Sequence, residues 1–245
     1  MSKQKPRFYV FLKKTVAFFY GKKRFEIPKD ILEEPTVIVG NHTQMHGPLM
    51  FELYYPKSKK IWCIGQMMDK KEIPEYAMQD FWPYKDKGVR WFYKLLSRLM
   101  ARPLSYIFNN ADCIAVYKDA RIMGTLKKSV YALKEGEDLV IFPEKRQAFN
   151  DIINEFQDNF VDVARLYYKN TNKELAFTPA YVAPKLKKVV LGEPIKYNSS
   201  LSSEENKKII IEYLKEQITA IAKSLPTHTV IPYENIKKKY YKKSK

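Results

Sequence analysis

Cysteine is scarce in this chain: Cys63 and Cys113 are its 2 thiols in 245 residues. They stand far apart, in the apolar strand-like runs Ile61–Ile64 and Cys113–Val116, and match no metal or redox spacing. That excludes the disulfide framework of small secreted domains and reads as reduced, buried small hydrophobes in a reducing compartment. The Asn41-His42-Thr43 sequon is set aside for the same reason, since no secretory signal precedes it. No apolar run is long enough to span a bilayer. No internal repeat and no Ser/Gly-rich linker breaks the chain. Acidic residues are in deficit, 27 against 44 Lys and Arg, for a net charge of +17. This directs the chain toward polyanionic partners: an anionic membrane, nucleic acid, or phosphorylated and CoA-type ligands, among which charge alone does not choose.

Aromatic residues reach 14%, hydrophobic residues 45% and charged residues 29%, a globular rather than a disordered composition. Basic and aromatic residues together suit a membrane interface, where amphipathic rings sit at headgroup level. They also suit single-stranded nucleic acid, where rings stack on bases. Most rings of a globular chain are nonetheless core.

From Thr36 onward, short β-branched runs alternate with helical periodicity. Strands are predicted at Thr36–Val39, Ile61–Ile64, Ile114–Val116, Leu139–Phe142, Ala176–Val182 and Lys188–Leu191. Helices are predicted at Pro48–Tyr54, Arg121–Lys134, Glu155–Lys169 and Ser202–Lys223, the last capped by Ser202 or Ser203. A helical insertion occupies about 66–110. The alternation predicts an α/β fold, a mostly parallel or mixed central sheet flanked by helices.

Two stretches carry chemistry. Val37-Ile38-Val39-Gly40-Asn41-His42 is a buried run that ends in a glycine turn, with Pro48 opening the next helix. His42 therefore sits in a strand-to-helix loop, at the strand end where open α/β sheets place ligands, and an imidazole there suits general-base work. The second is Leu139-Val140-Ile141-Phe142-Pro143-Glu144-Lys145-Arg146, in which Pro143 ends a strand and presents an acid and two cations from a loop. Were the two strands neighbours, these groups would face one cleft. His42 and His46 are four apart, a zinc spacing on a helix, but Pro48 starts the helix after both and no third ligand follows, so no metal site is read.

Asn41-His42 with Gly47-Pro48, then Ile114-Ala115-Val116-Tyr117-Lys118, Ile141-Phe142-Pro143-Glu144 and Phe177-Thr178-Pro179-Ala180-Tyr181-Val182, resemble in order four motifs of the glycerolipid (lysophosphatidic-acid type) acyltransferases. That family writes Asn-His-x4-Asp and Phe-Pro-Glu-Gly-Thr-Arg. Here Gly47 stands at the aspartate, Lys145-Arg146-Gln147 at Gly-Thr-Arg, and Lys118 at the arginine of the second motif. The resemblance implies a glycerol-phosphate-acyltransferase-like fold and transfer of a fatty acyl group from an acyl-CoA or acyl-carrier-protein thioester to a hydroxyl of a lysophospholipid or glycerolipid. It implies His42 as general base, and Glu144, Lys145, Arg146 and Lys118 around the acceptor and its phosphate. Asn41, Gly47 and Pro143 complete the motif positions. No bound cofactor is implied, because the thioester is a co-substrate. The aspartate of the family orients its histidine; Glu144, Glu52 and Asp69 are the carboxylates that could take its place. Glu144 could equally bond loop amides beneath the pocket.

Arg7–Tyr20 reads as a basic amphipathic helix with Phe8, Phe11, Leu12, Val16 and Phe19 at helical spacing, either an in-plane membrane anchor or a helix packed on its own domain. Lys85–Arg102 repeats the pattern around Trp91, Phe92, Leu95, Leu96 and Leu99, and residues 237–245 form a basic tail. The expected organisation is a membrane-associating segment at 1–30, the α/β domain at 31–225 and the tail at 226–245. The expected location is cytoplasmic and peripheral on the membrane surface. Two alternatives stay open: a weakly active or inactive lipid-binding protein of the same fold, and, ranked last for want of a recognition motif, a nucleic-acid-binding protein.

Overall fold

The computed structural model describes residues 4–28, 31, 33–82, 87–117, 119–147, 152–234 and 236–244. The chain divides into two compact units, one of residues 1–19 and 62–125, the other of residues 20–61 and 126–245.

The larger unit is built on a mixed, mostly parallel sheet. Strand β2 (Thr36–Gly40) is central, parallel to β5 (Asp138–Ile141) on one side and to β6 (Ala176–Ala183) on the other. Beyond β5 lies the first half of β3 (Lys59–Ile64), also parallel. Beyond β6 comes antiparallel β7 (Lys188–Leu191), then β1 (Arg24–Glu26) parallel to β7, while the two-residue β8 (Ile195–Lys196) pairs with β6. Every residue of β2 and β5 is buried, which is why both read as unbroken apolar runs rather than alternating ones.

At the starting end of these strands the buried Asp138 carboxylate accepts the backbone N–H of Thr36 (3.0 Å) and the Tyr55 hydroxyl (2.6 Å), with Lys57 at 3.1 Å. This junction pins β2 to β5 in the register Val37↔Leu139. It thereby fixes which loop residues meet at the other end. Helix α7 (Ser203–Ser224) covers β6 with Ile210, Leu214, Ile218 and Ala222, and a complete capping box between Ser202 and Glu205 starts it.

Two helix starts differ from expectation by more than one residue. Helix α2 (His46–Tyr54) begins before Pro48, because a proline anywhere in the first turn gives up only an N–H that has no helical partner. The helix expected over 155–169 begins instead as a 3₁₀ turn, Asn159–Val161, followed by α6 (Asp162–Thr171). The backbone of 154–157 is committed elsewhere: Glu155 O accepts the Lys145 N–H, and Gln157 N–H donates to Pro143 O at 2.8 Å.

The smaller unit holds α1 (Arg7–Tyr20) up to Phe19, α3 (Ile73–Asp80) packed on α4 (Arg90–Asn110), and β4 (Cys113–Val116) beside the end of β3 in the strand order. Lys5 ties the start of the chain to Asp112 (2.8 Å) and to the Asn110 carbonyl (2.6 Å). The Trp82 indole N–H donates to Ser97 on α4 at 3.0 Å. Cys63 and Cys113, remote in sequence, meet here: a hydrogen bond from the Cys63 thiol to Cys113, with burial, pushes the Cys63 pKa well up.

The apolar stripes of α1 and α4 face outward. On α1, Phe11 is 63% exposed and Phe19 81%, and Tyr9 is its buried residue. On α4, Trp91 is 68% and Leu99 67% exposed, and the residues that pack inward are the small Ser97 and Ala101. Neither helix carries an acidic residue. Among the described residues no helix is long and apolar enough to cross a membrane.

Candidate active site

The parallel pairing of β2 and β5 carries the loops after Gly40 and Ile141 to the same end of the sheet, and both belong to the larger unit. Asn41 caps the first loop. Its side chain accepts the Val182 N–H (2.6 Å) and donates to the Val182 carbonyl (3.2 Å), which extends the β2–β6 pairing one step past the strand. Glu144, buried in the second loop, accepts the backbone N–H of His42 through Oε2 (2.8 Å) and that of Asn154 through Oε1 (2.9 Å). Burial raises its pKa against the pull of those two amides. Glu144 thus binds the loop that bears the histidine, not the imidazole itself. Pro143 is buried beside it, while Lys145 and Arg146 emerge into solvent.

The imidazole of His42 lies face to face with the ring of Tyr233, centroids 4.1 Å apart and planes 19° apart, with the edge of Phe142 against it at 5.7 Å. Its Nδ1 is buried and has no hydrogen-bond partner among the described residues. Burial lowers the His42 pKa from 6.5 to about 4, against an upward pull from the Gln44 backbone. The ring is therefore neutral at physiological pH.

The next two residues are strained. Thr43 and Gln44 both lie in the left-handed region (φ 46° and 55°), which is uncommon for any non-glycine residue and rarer for a β-branched one. The Thr43 hydroxyl is also buried without a partner among the described residues. Adjacent strained backbone and unpaired buried polar atoms are a recurrent mark of functional loops.

Gly47 stands where an orienting carboxylate would be expected from the motif. A Cβ built there would lie 2.8 Å from the His42 carbonyl oxygen and 2.8 Å from the Phe142 ring, so a side chain has no room. The three substitute carboxylates are engaged elsewhere. Glu144 holds backbone amides, Glu52 pairs with Lys59 (3.1 Å), and Asp69, in the smaller unit, accepts the Lys71 N–H (2.8 Å).

Arg146 Nε donates to Glu234 at 2.9 Å. Lys118 lies outside the described residues. His46, at the start of α2, stands off from His42's partners: Nδ1 is hydrogen-bonded by the Tyr20 hydroxyl at 2.6 Å, and burial with the cations Lys185 and Lys23 lowers its pKa. Burial beside Tyr54 pushes the Tyr20 hydroxyl up to about 12, so it stays protonated. Among the described residues no group of three His, Cys, Asp or Glu is placed to hold a metal. Tyr233 and Glu234 were not legible as site residues, since they lie in a basic tail without a motif. The only signal was a Tyr-Glu pair ahead of a lysine run.

These features define an α/β protein with an enclosed imidazole and a buried carboxylate on adjoining loops at one sheet end. No protein-family model and no curated sequence matches the chain. Among solved structures it is similar to the 1-acyl-sn-glycerophosphate (LPA) acyltransferase PlsC from Thermotoga maritima. The identity is 14%, the match covers 87% of this chain and 77% of that one, and the TM-score is 0.49.

Proposed function

We propose that the chain is a membrane-surface acyltransferase that moves a fatty acyl group from an acyl-CoA or acyl-carrier-protein thioester to a hydroxyl of a lysophospholipid or glycerolipid. His42 takes the hydroxyl proton as the oxygen attacks the thioester carbonyl; the C–S bond breaks, and the thiolate leaves with that proton. Arg146, with Lys145 beside it, holds the acceptor phosphate, a role for which the planar guanidinium is suited. Lys118 is proposed as a further phosphate contact. The observation that supports this reading is the junction of the two motif loops, with the N–H of His42 on the carboxylate of Glu144. Outward apolar stripes on two helices without an acidic residue support action at an anionic membrane surface.

A second reading, a lipid-binding protein without turnover, draws on the unpartnered Nδ1 of His42, its lowered pKa and the lack of space at Gly47. Incubation with acyl-CoA and lysophosphatidic acid on anionic vesicles separates the two. Accumulation of the diacyl product by mass spectrometry is expected. Saturable lipid binding with no ester formed would select the second reading.

A further inference from the structure

The segment after α7 folds into a closed loop. Its base is zipped where Val230 N–H donates to Lys242 O (2.9 Å) and Ser244 N–H donates to His228 O (3.0 Å). The base is also anchored: His228 is buried, with Nε2 at 2.8 Å from the Tyr181 hydroxyl of β6 and Nδ1 at 2.8 Å from the Pro226 carbonyl. The tip lies on the two motif loops. Tyr233 covers the face of His42 at 4.1 Å. Glu234 places a carboxylate on Arg146 at 2.9 Å, and its carbonyl accepts from Gln44 Nε2 at 3.2 Å. The Tyr241 hydroxyl accepts from the same Gln44 amide at 2.9 Å. The segment is also cationic and aromatic: Lys237, Lys238 and Lys239 near the tip and Lys242 and Lys243 at the base are exposed, with Tyr240 among them.

We propose that this C-terminal loop is an autoinhibitory cover, in which Tyr233 shields His42 and Glu234 takes the anion's place on Arg146, and that an anionic lipid surface lifts the tip by drawing its outward lysines. Its meaning for catalysis rests on the acyltransferase reading; the covering itself does not. The asymmetry of the attachments favours a hinge. The base is held by a buried histidine and backbone pairing, whereas the contacts described at the tip include a ring stack, a partly exposed ion pair and two side-chain hydrogen bonds. A cationic, tyrosine-bearing face fits a membrane of anionic headgroups, whose surface potential attracts lysines within a Debye length. The carboxylate on Arg146 is the kind of partner a phosphate replaces directly.

The test reads access to His42 without turnover. The full chain is treated with diethyl pyrocarbonate, and labelling of His42 is quantified by peptide mass spectrometry. It is compared alone, with phosphatidylcholine vesicles, with vesicles that include phosphatidylglycerol, and with a single-stranded oligonucleotide. His42 is expected to be protected alone and with neutral vesicles, and to gain about fivefold or more in labelling on anionic vesicles. Glu234→Gln should raise labelling with no vesicle present, and a melting curve like that of the parent certifies its fold. Replacing Lys237, Lys238, Lys239, Lys242 and Lys243 by Gln should leave basal protection intact and remove the vesicle response. Protein that sediments with anionic vesicles yet keeps His42 protected overturns the proposal, as does free labelling of the chain alone. A response to the oligonucleotide but not to vesicles overturns the lipid trigger. Unmasking of His42 with no ester formed from either acyl-CoA or an acyl-carrier-protein thioester leaves the cover standing and removes the acyltransferase reading. Ester formed at equal rates with and without anionic vesicles does the reverse.

Discussion

His42 works under two constraints that act through different atoms. Its backbone is fixed by Glu144, and its ring is enclosed by Tyr233 and Phe142. Removing the carboxylate by Glu144→Ala strands two amide N–H groups, those of His42 and Asn154. The expected loss is about 2–4 kcal/mol in urea unfolding, with Glu144→Gln milder because one acceptor survives. The enclosed ring predicts a pH dependence. Its folded pKa of about 4 lies below its ordinary 6.5, so the unfolded chain binds the proton first. The stability His42 contributes is full above about pH 6.5 and is lost as pH falls toward 4, by up to about 3 kcal/mol in total. Denaturation midpoints of wild type and His42→Gln should therefore converge as pH falls through that window. The identities of His42, Glu144 and Arg146 as loop residues at strand ends were legible from short apolar runs closed by Gly40 and Pro143. What each side chain bonds was not legible, because it depends on the β2–β5 register and on a tail distant in sequence.

At the scale of elements, the strand-to-helix loop between β2 and α2 shows why the motif departs at Gly47. The loop carbonyl of His42 and the Phe142 ring close over that position, so the helix start approaches the loop more tightly than any side chain permits. Gly47→Asp is thus expected to destabilise the fold by about 1–3 kcal/mol and not to supply Nδ1 with a carboxylate, measurable by thermal unfolding and by the His42 titration. The buried strands were readable because a strand covered on both faces is apolar at every residue, as in β2 and β5. The short β1 and β8 were not, since three and two residues carry no periodicity. The 155–169 region looked helical throughout, yet tertiary pairing with the Pro143–Lys145 loop claimed its first residues. The amphipathic patterns of α1 and α4 were visible, but a stripe does not say whether it faces a core or solvent. Here the stripes face solvent, and Ser97 and Ala101 pack inward.

For the molecule as a whole, charge and exposed aromatic surface act together. A chain of net charge +17 with Phe8, Phe11, Phe19, Trp91 and Leu99 exposed should bind anionic vesicles strongly at low salt and retain part of that binding at high salt. Salt screens the lysines and leaves apolar insertion intact. Cosedimentation across a salt series measures the split, and substitution of Phe11, Phe19, Trp91 and Leu99 by Ser should abolish the salt-resistant fraction. The most direct test of the central claim is the rate of acyl transfer from acyl-CoA to lysophosphatidic acid on anionic vesicles, compared between wild type and His42→Ala. An imidazole that acts as general base predicts a loss of about 100-fold or more in the variant, with vesicle binding unchanged. Equal rates in the two proteins would contradict it.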